Sequence, residues 1–158
     1  MKNPKFVLIF IALICGALLG AGLYLQLVEH MLPCPLCIIQ RYLFAATGIL
    51  CLLGALLPRM QAKFMTALAA LAALGGAGTA GWHLWVQAHP GVSCGIDPLE
   101  TALNTIPTAT LLPTLFKADG LCATPYPPIL GLSIPQWSLL WFALFVLLLA
   151  RDLVKRVR

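Results

Sequence analysis

The chain has 158 residues, 61% of them apolar, and only 9% carry a charge. A soluble globular protein carries about 25% charged residues, so ten bases and five acids cannot clothe a water-facing surface of this size. That balance excludes a disordered chain, a nucleic-acid binder with a basic face and a small disulfide-stapled secreted domain, and it leaves an integral membrane protein.

Crossing the hydrocarbon layer takes about 20 mostly apolar helical residues. Four segments qualify in chain order. Residues 6–28 are free of charge; residues 38–57 hold one, Arg41; residues 64–86 hold only His83 as an ionisable group; residues 132–150 form the last. The first run is too long for the apolar part of a cleaved signal peptide. None alternates as a barrel strand does. The expected fold is an all-α four-transmembrane-helix bundle, one membrane domain over residues 1–158, with outer loops at 29–37 and 87–131.

Basic residues set its direction. Lys2, Lys5, Arg59, Lys63, Arg151, Lys155, Arg156 and Arg158 fall on one side of a four-span chain, and Lys117 on the other, with Arg41 at the boundary. The asymmetry predicts cytoplasmic termini. The net charge of +5 is then a topology signal rather than a sign of an acidic partner. Tyr24, Tyr42, Trp82, Trp85, Trp137 and Trp141 fall near outer helix ends, as an interfacial belt does. Gly16 and Gly20 in the first span, and Gly75, Gly76, Gly78 and Gly81 in the third, predict close helix packing. The 87–131 loop holds seven prolines yet is apolar in its middle, which suits a segment lying on the membrane with little helix.

The six cysteines divide by position. Cys15 and Cys51 lie within spans and read as small packing residues. Cys34 and Cys37 lie in the short outer loop as Cys-Pro-Leu-Cys, and Cys94 and Cys122 lie in the long one. A Cys-x-x-Cys pair serves either metal ligation or thiol–disulfide exchange. Cys94 and Cys122 lack the close spacing of a second zinc half-site, so exchange is favoured over metal and over purely structural bridges. Pro33 and Pro35 stiffen the turn, and a helix starting there favours the Cys37 thiolate. Arg41, four residues on, shares the helical face of Cys37. Arg41 is either a snorkelling residue or a buried charge kept for a ligand. His83 falls at nearly the same depth, either as an interfacial histidine or, with Arg41, as part of a site for a lipid-soluble molecule with polar oxygens.

Pro-Cys-Pro-Leu-Cys-Ile-Ile-Gln-Arg at residues 33–41, with four spans and a widely spaced outer cysteine pair, resembles the quinone-linked disulfide bond formation protein B (DsbB) family over the whole chain. The Trp-His at 82–83 is similar to the region where that family carries a quinone-proximal histidine. The resemblance implies a thiol:quinone oxidoreductase of the bacterial inner membrane that reoxidises a periplasmic thioredoxin-fold oxidase of DsbA type. On it, Cys94 and Cys122 take electrons from the partner, Cys94 forming the mixed disulfide. A Cys34–Cys122 bond then frees Cys37 to react with ubiquinone or menaquinone, and Arg41 and His83 bind that quinone. DsbA-type oxidases stand near about −120 mV, so the quinone has to draw the reaction forward. No metal and no nucleic acid is implied. The alternatives are a quinone reductase of the vitamin K epoxide reductase type, whose active Cys-x-x-Cys precedes a late helix rather than the second, and a non-catalytic metal-binding membrane protein.

Overall fold

The computed structural model describes residues 4–89, 98–124 and 126–157. Four long helices, α1 (Pro4–Leu27), α2 (Pro35–Leu56), α3 (Arg59–Ala88) and α7 (Ile134–Val157), are each long and apolar enough to cross a membrane. Three short helices lie between α3 and α7: α4 (Pro98–Asn104), α5 (Pro107–Leu111) and α6 (Pro113–Phe116). The chain is an all-α, multi-pass membrane protein.

Prolines punctuate this order. Pro35 occupies the first turn of α2, where its missing N–H has no intrahelical partner to lose. Leu57, extended before Pro58, stops α2, and Pro58 caps α3. The helix therefore begins at Arg59, ahead of the apolar run at residue 64. Before α7, Gln136 Oε1 accepts the Ser133 N–H at 2.7 Å, the returning half of a capping box.

α2 packs on α1 and α3, and α7 packs on α3 with lighter contact to α1. The core joins Leu8, Ile11 and Cys15 of α1 to Phe44 and Cys51 of α2, Ala69 and Ala73 of α3, and Phe142, Phe145 and Leu149 of α7. Phe44 stacks on Phe142 with centroids 3.9 Å apart, and a Cβ built on Gly76 falls 2.3 Å from the Phe142 ring. That glycine admits α7 against α3. Gly16 and Gly20 do not act this way: both are exposed, and a Cβ on either meets nothing within 4 Å. The α1 contact runs instead along Leu8, Ile11 and Cys15, while Gly48 of α2 admits Cys15, with a built Cβ 3.0 Å from the Cys15 Cβ.

The segment between α3 and α7 is more helical than its prolines suggest, because Pro98, Pro107 and Pro113 each stand at a helix start. It is tied to the start of α2. Tyr42 stacks on Phe116 at 4.2 Å and hydrogen-bonds Thr108. Asn104 bridges to Ala118 by two bonds of 2.9 Å, one in each direction. These contacts carry the chain from α6 to the Cys-Pro-Leu-Cys turn.

Candidate active site

Cys34 is the N-cap of α2, with extended backbone, and its sulfur accepts the Cys37 N–H at 3.3 Å. The helix N-terminus thus points an amide at Cys34, whereas Cys37 lies inside the first turn. The Cys34 thiol donates to Cys37 Sγ at 3.0 Å. That bond first, and burial second, push the Cys34 thiol well above the ordinary thiol range, outweighing the amide. Cys34 is therefore the proton-holding partner of a reduced pair.

His83 comes from α3 and is buried, 3% exposed. Its Nε2 lies 3.7 Å from Cys34 Sγ and 3.3 Å from the Cys122 carbonyl oxygen. On the other side of the ring, Gln40 Nε2 donates to Nδ1 at 3.3 Å, which puts the ring proton on Nε2. His83 is in direct reach of the thiols, closer to that chemistry than a residue only lining a ligand cavity.

Cys122 is buried among Cys34, Leu36 and Val86, with Cys37 and Leu99 at the edge of the same cluster. It is disulfide-bonded, whereas Cys15, Cys34, Cys37 and Cys51 are free thiols. Pro33 O accepts from both Asp119 N (3.0 Å) and Gly120 N (3.1 Å), locking the Cys122 segment against the turn. Gly120 is required there, since a Cβ would lie 2.4 Å from the Leu32 carbonyl oxygen. Cys94 lies outside the described residues.

Arg41 lies on α2, 9% exposed, with its guanidinium spread between elements. Nη1 donates to Gln26 Oε1 (2.7 Å) and the Leu115 carbonyl (3.0 Å), and Nη2 donates to the Gly22 carbonyl (3.1 Å). Among the described residues no carboxylate is seen paired with it; Lys117 and Asp119 pair with each other on the surface. Nor does Arg41 hydrogen-bond either sulfur.

A cavity of about 340 Å³ joins these groups. Cys34, Cys37, Gln40, Arg41, His83 and Cys122 line one part, and mainly apolar residues including Leu18, Leu19, Phe44 and Trp141 line the rest. The structure thus gathers Cys34, Cys37, Cys122 and His83, and sets Arg41 on the same cavity. Gln40 and Gln26, which orient His83 and Arg41, were not singled out from the sequence. The signal was available, since an uncharged amide inside an apolar span needs a partner.

Thiols this close at the end of a membrane helix have disulfide exchange as their chemistry, and the class is a multi-pass membrane disulfide oxidoreductase. Comparison with known proteins narrows the class. The family model described as Disulfide bond formation protein DsbB matches residues 4–151, and the chain belongs to that family. A relative named Disulfide bond formation protein B from Herminiimonas arsenicoxydans is 62% identical over 149 residues, covering 94% of each chain. One of the same name from Cupriavidus metallidurans is 46% identical over 154 residues, covering 98% of this chain and 95% of its own. Disulfide bond formation protein B 1 of Pseudomonas syringae pv. syringae is 43% identical over 159 residues, covering 100% of this chain and 94% of its own.

Proposed function

We propose that this disulfide oxidoreductase passes electrons from a periplasmic thioredoxin-fold oxidase of DsbA type to a membrane quinone, ubiquinone or menaquinone. The observation that carries the proposal is Arg41. A buried guanidinium that no carboxylate pairs with among the described residues, on an apolar cavity shared with a close thiol pair, suits a lipid-soluble ligand with polar oxygens. When bound, the quinone supplies a two-electron, two-proton acceptor. Arg41 would hold it, its guanidinium fixed by Gly22, Gln26 and Leu115 so that little reorganisation accompanies binding.

The remaining roles fall to this chain's own groups. Cys34, buried with Cys122, is the thiol that exchanges with the outer pair. Cys37, the less buried of the two, faces the cavity. His83, its ring proton on Nε2, donates to Cys34 Sγ when exchange leaves that sulfur anionic, and Gln40 holds its ring. The bonded state of Cys122 beside four free thiols supports a Cys94–Cys122 disulfide as the partner-facing pair. The basic residues at the termini and after α2 support cytoplasmic ends and an inner-membrane location with the thiols outward.

The test is steady-state turnover of purified protein with a reduced thioredoxin-fold oxidase and ubiquinone. The proposal expects quinone reduction that ceases in Cys37→Ser. Full turnover by Cys37→Ser, or partner oxidation at the same rate without quinone, would overturn it.

A further inference from the structure

Cys34, Cys37 and His83 form, among the described residues, the one cluster whose three metal-ligating atoms lie within 4.8 Å of one another. Cys34 Sγ is 3.0 Å from Cys37 Sγ and 3.7 Å from His83 Nε2. Zinc bonds of about 2.3 Å to sulfur and 2.0 Å to nitrogen place tetrahedral donors roughly 3.5–3.8 Å apart. To meet that spacing the sulfurs part by roughly 0.8 Å, and Cys37 Sγ and the histidine nitrogen, within 4.8 Å of each other, close to it.

Three further observations fit. The ligands sit on packed helices, Cys34 and Cys37 at the first turn of α2 and His83 on α3, so the site is held before an ion arrives. Gln40 faces His83 Nδ1 at 3.3 Å. Turned about its last torsion, its amide oxygen accepts an Nδ1 proton and leaves the Nε2 lone pair free, the outer support typical of metal-bound histidines. The cavity borders all three ligands and leaves room for water as a fourth. Two thiolates also neutralise a divalent cation, which removes the main cost of burying one.

We propose that the reduced Cys34–Cys37 pair and His83 bind one thiophilic divalent cation of the zinc class, and that this holds the dithiol out of turnover. The site is redox-gated. Binding exchanges two thiol protons, released to solvent, for two metal–sulfur bonds. Once Cys34 and Cys37 are joined at a disulfide distance of about 2.05 Å, His83 remains as a single ligand. The inference differs from metal ligation by four outer cysteines, because it uses two of them with a histidine and exists only in the reduced state. It rests on the proposed function in one respect, that the pair cycles between dithiol and disulfide.

Cobalt(II) titration of the full-length protein in detergent tests it. Chemically reduced, reductant-free protein should take up one equivalent, with visible bands of tetrahedral thiolate-bound cobalt that zinc displaces. Diamide-oxidised protein should show none. His83→Ala should weaken binding at least tenfold and alter the bands; His83→Gln replaces it if the alanine variant loses helicity. Cys15→Ala and Cys51→Ala should leave the bands unchanged. One equivalent of zinc should slow quinone-driven oxidation of the pair at least tenfold, with recovery on adding a chelator. Absence of bands in reduced protein, equal uptake by oxidised protein, or unchanged binding in both His83 variants would overturn the inference. Quinone reduction by metal-free protein is read in the same preparation. Loss of that activity with bands intact counts against the proposed function alone, and missing bands with activity intact count against this inference alone.

Discussion

Gly120→Ala should detach the Cys122 segment from the Cys-Pro-Leu-Cys turn without touching a sulfur. The added Cβ lies 2.4 Å from Leu32 O, 2.9 Å from Leu32 C and 3.2 Å from Pro33 C. These are backbone atoms, so no side chain can swing aside. The segment has to retreat, and the bonds from Asp119 N and Gly120 N to Pro33 O lengthen beyond use. Two hydrogen bonds at about 0.5–1.5 kcal/mol each amount to about 1–3 kcal/mol, a factor of roughly 5 to 150 in the docked population. The overpacking range of about 1–3 kcal/mol agrees. The assay uses a Cys37→Ala, Cys94→Ser background, where Cys34 and Cys122 remain as the outer pair. Equilibration in a glutathione buffer gives the effective concentration of one thiol at the other. Gly120→Ala should lower it by that factor, with the helical signal retained. A value within twofold of the parent would refute the reasoning.

Arg41→Ala should raise the quinone KM at least tenfold, and Arg41→Lys should fail to restore it. A single ammonium cannot reach Gly22, Gln26 and Leu115 together as the fork does; an unchanged KM would make Arg41 a snorkelling residue. Gln40→Leu removes the partner of His83 Nδ1, a buried loss of about 1–3 kcal/mol, and should slow Cys34 exchange several-fold while the quinone KM holds. Alkylation mapped by mass spectrometry should find Cys34 slow to react as pH rises through 9, because Cys37 and burial raise its pKa. In Cys37→Ala the larger cause disappears and the reaction should quicken near pH 9. Above that pH the unfolded thiol has lost its proton and the folded one has not, so reduced protein should lose stability as pH rises. Gly76→Val should destabilise the α3–α7 contact by about 1–3 kcal/mol, read by thermal unfolding in detergent.

Much of this arrangement is legible in the sequence for a physical reason. Lipid leaves a spanning chain few options besides the helix, so apolar length alone marks α1, α2, α3 and α7. Cys34 and Cys37 are legible because Pro33 and Pro35 fix their turn. Other features depend on long-range contact and are not. Which glycines serve as contacts is decided by what faces them, so Gly76 meets Phe142 while Gly16 and Gly20 meet nothing. That Cys34 rather than Cys37 caps α2 depends on a start at Pro35 within one residue. The partners of Arg41 come from α1 and from the α6 region, and two of the three are backbone carbonyls that carry no side-chain signature. Gln40 was visible as a polar residue beside Arg41, but its meaning required His83 to arrive from α3.

A single-turnover experiment asks whether the Cys34–Cys37 pair delivers electrons to a quinone held beside Arg41. Chemically reduced, metal-free protein carrying Cys94→Ser and Cys122→Ser is mixed with ubiquinone in the absence of oxygen, and disulfides are mapped as the quinone absorbance falls. One Cys34–Cys37 disulfide should form for each quinone consumed, at a rate that falls in Arg41→Ala and vanishes in Cys37→Ser. Quinone consumption without that disulfide, or the disulfide forming equally fast without quinone, would contradict it.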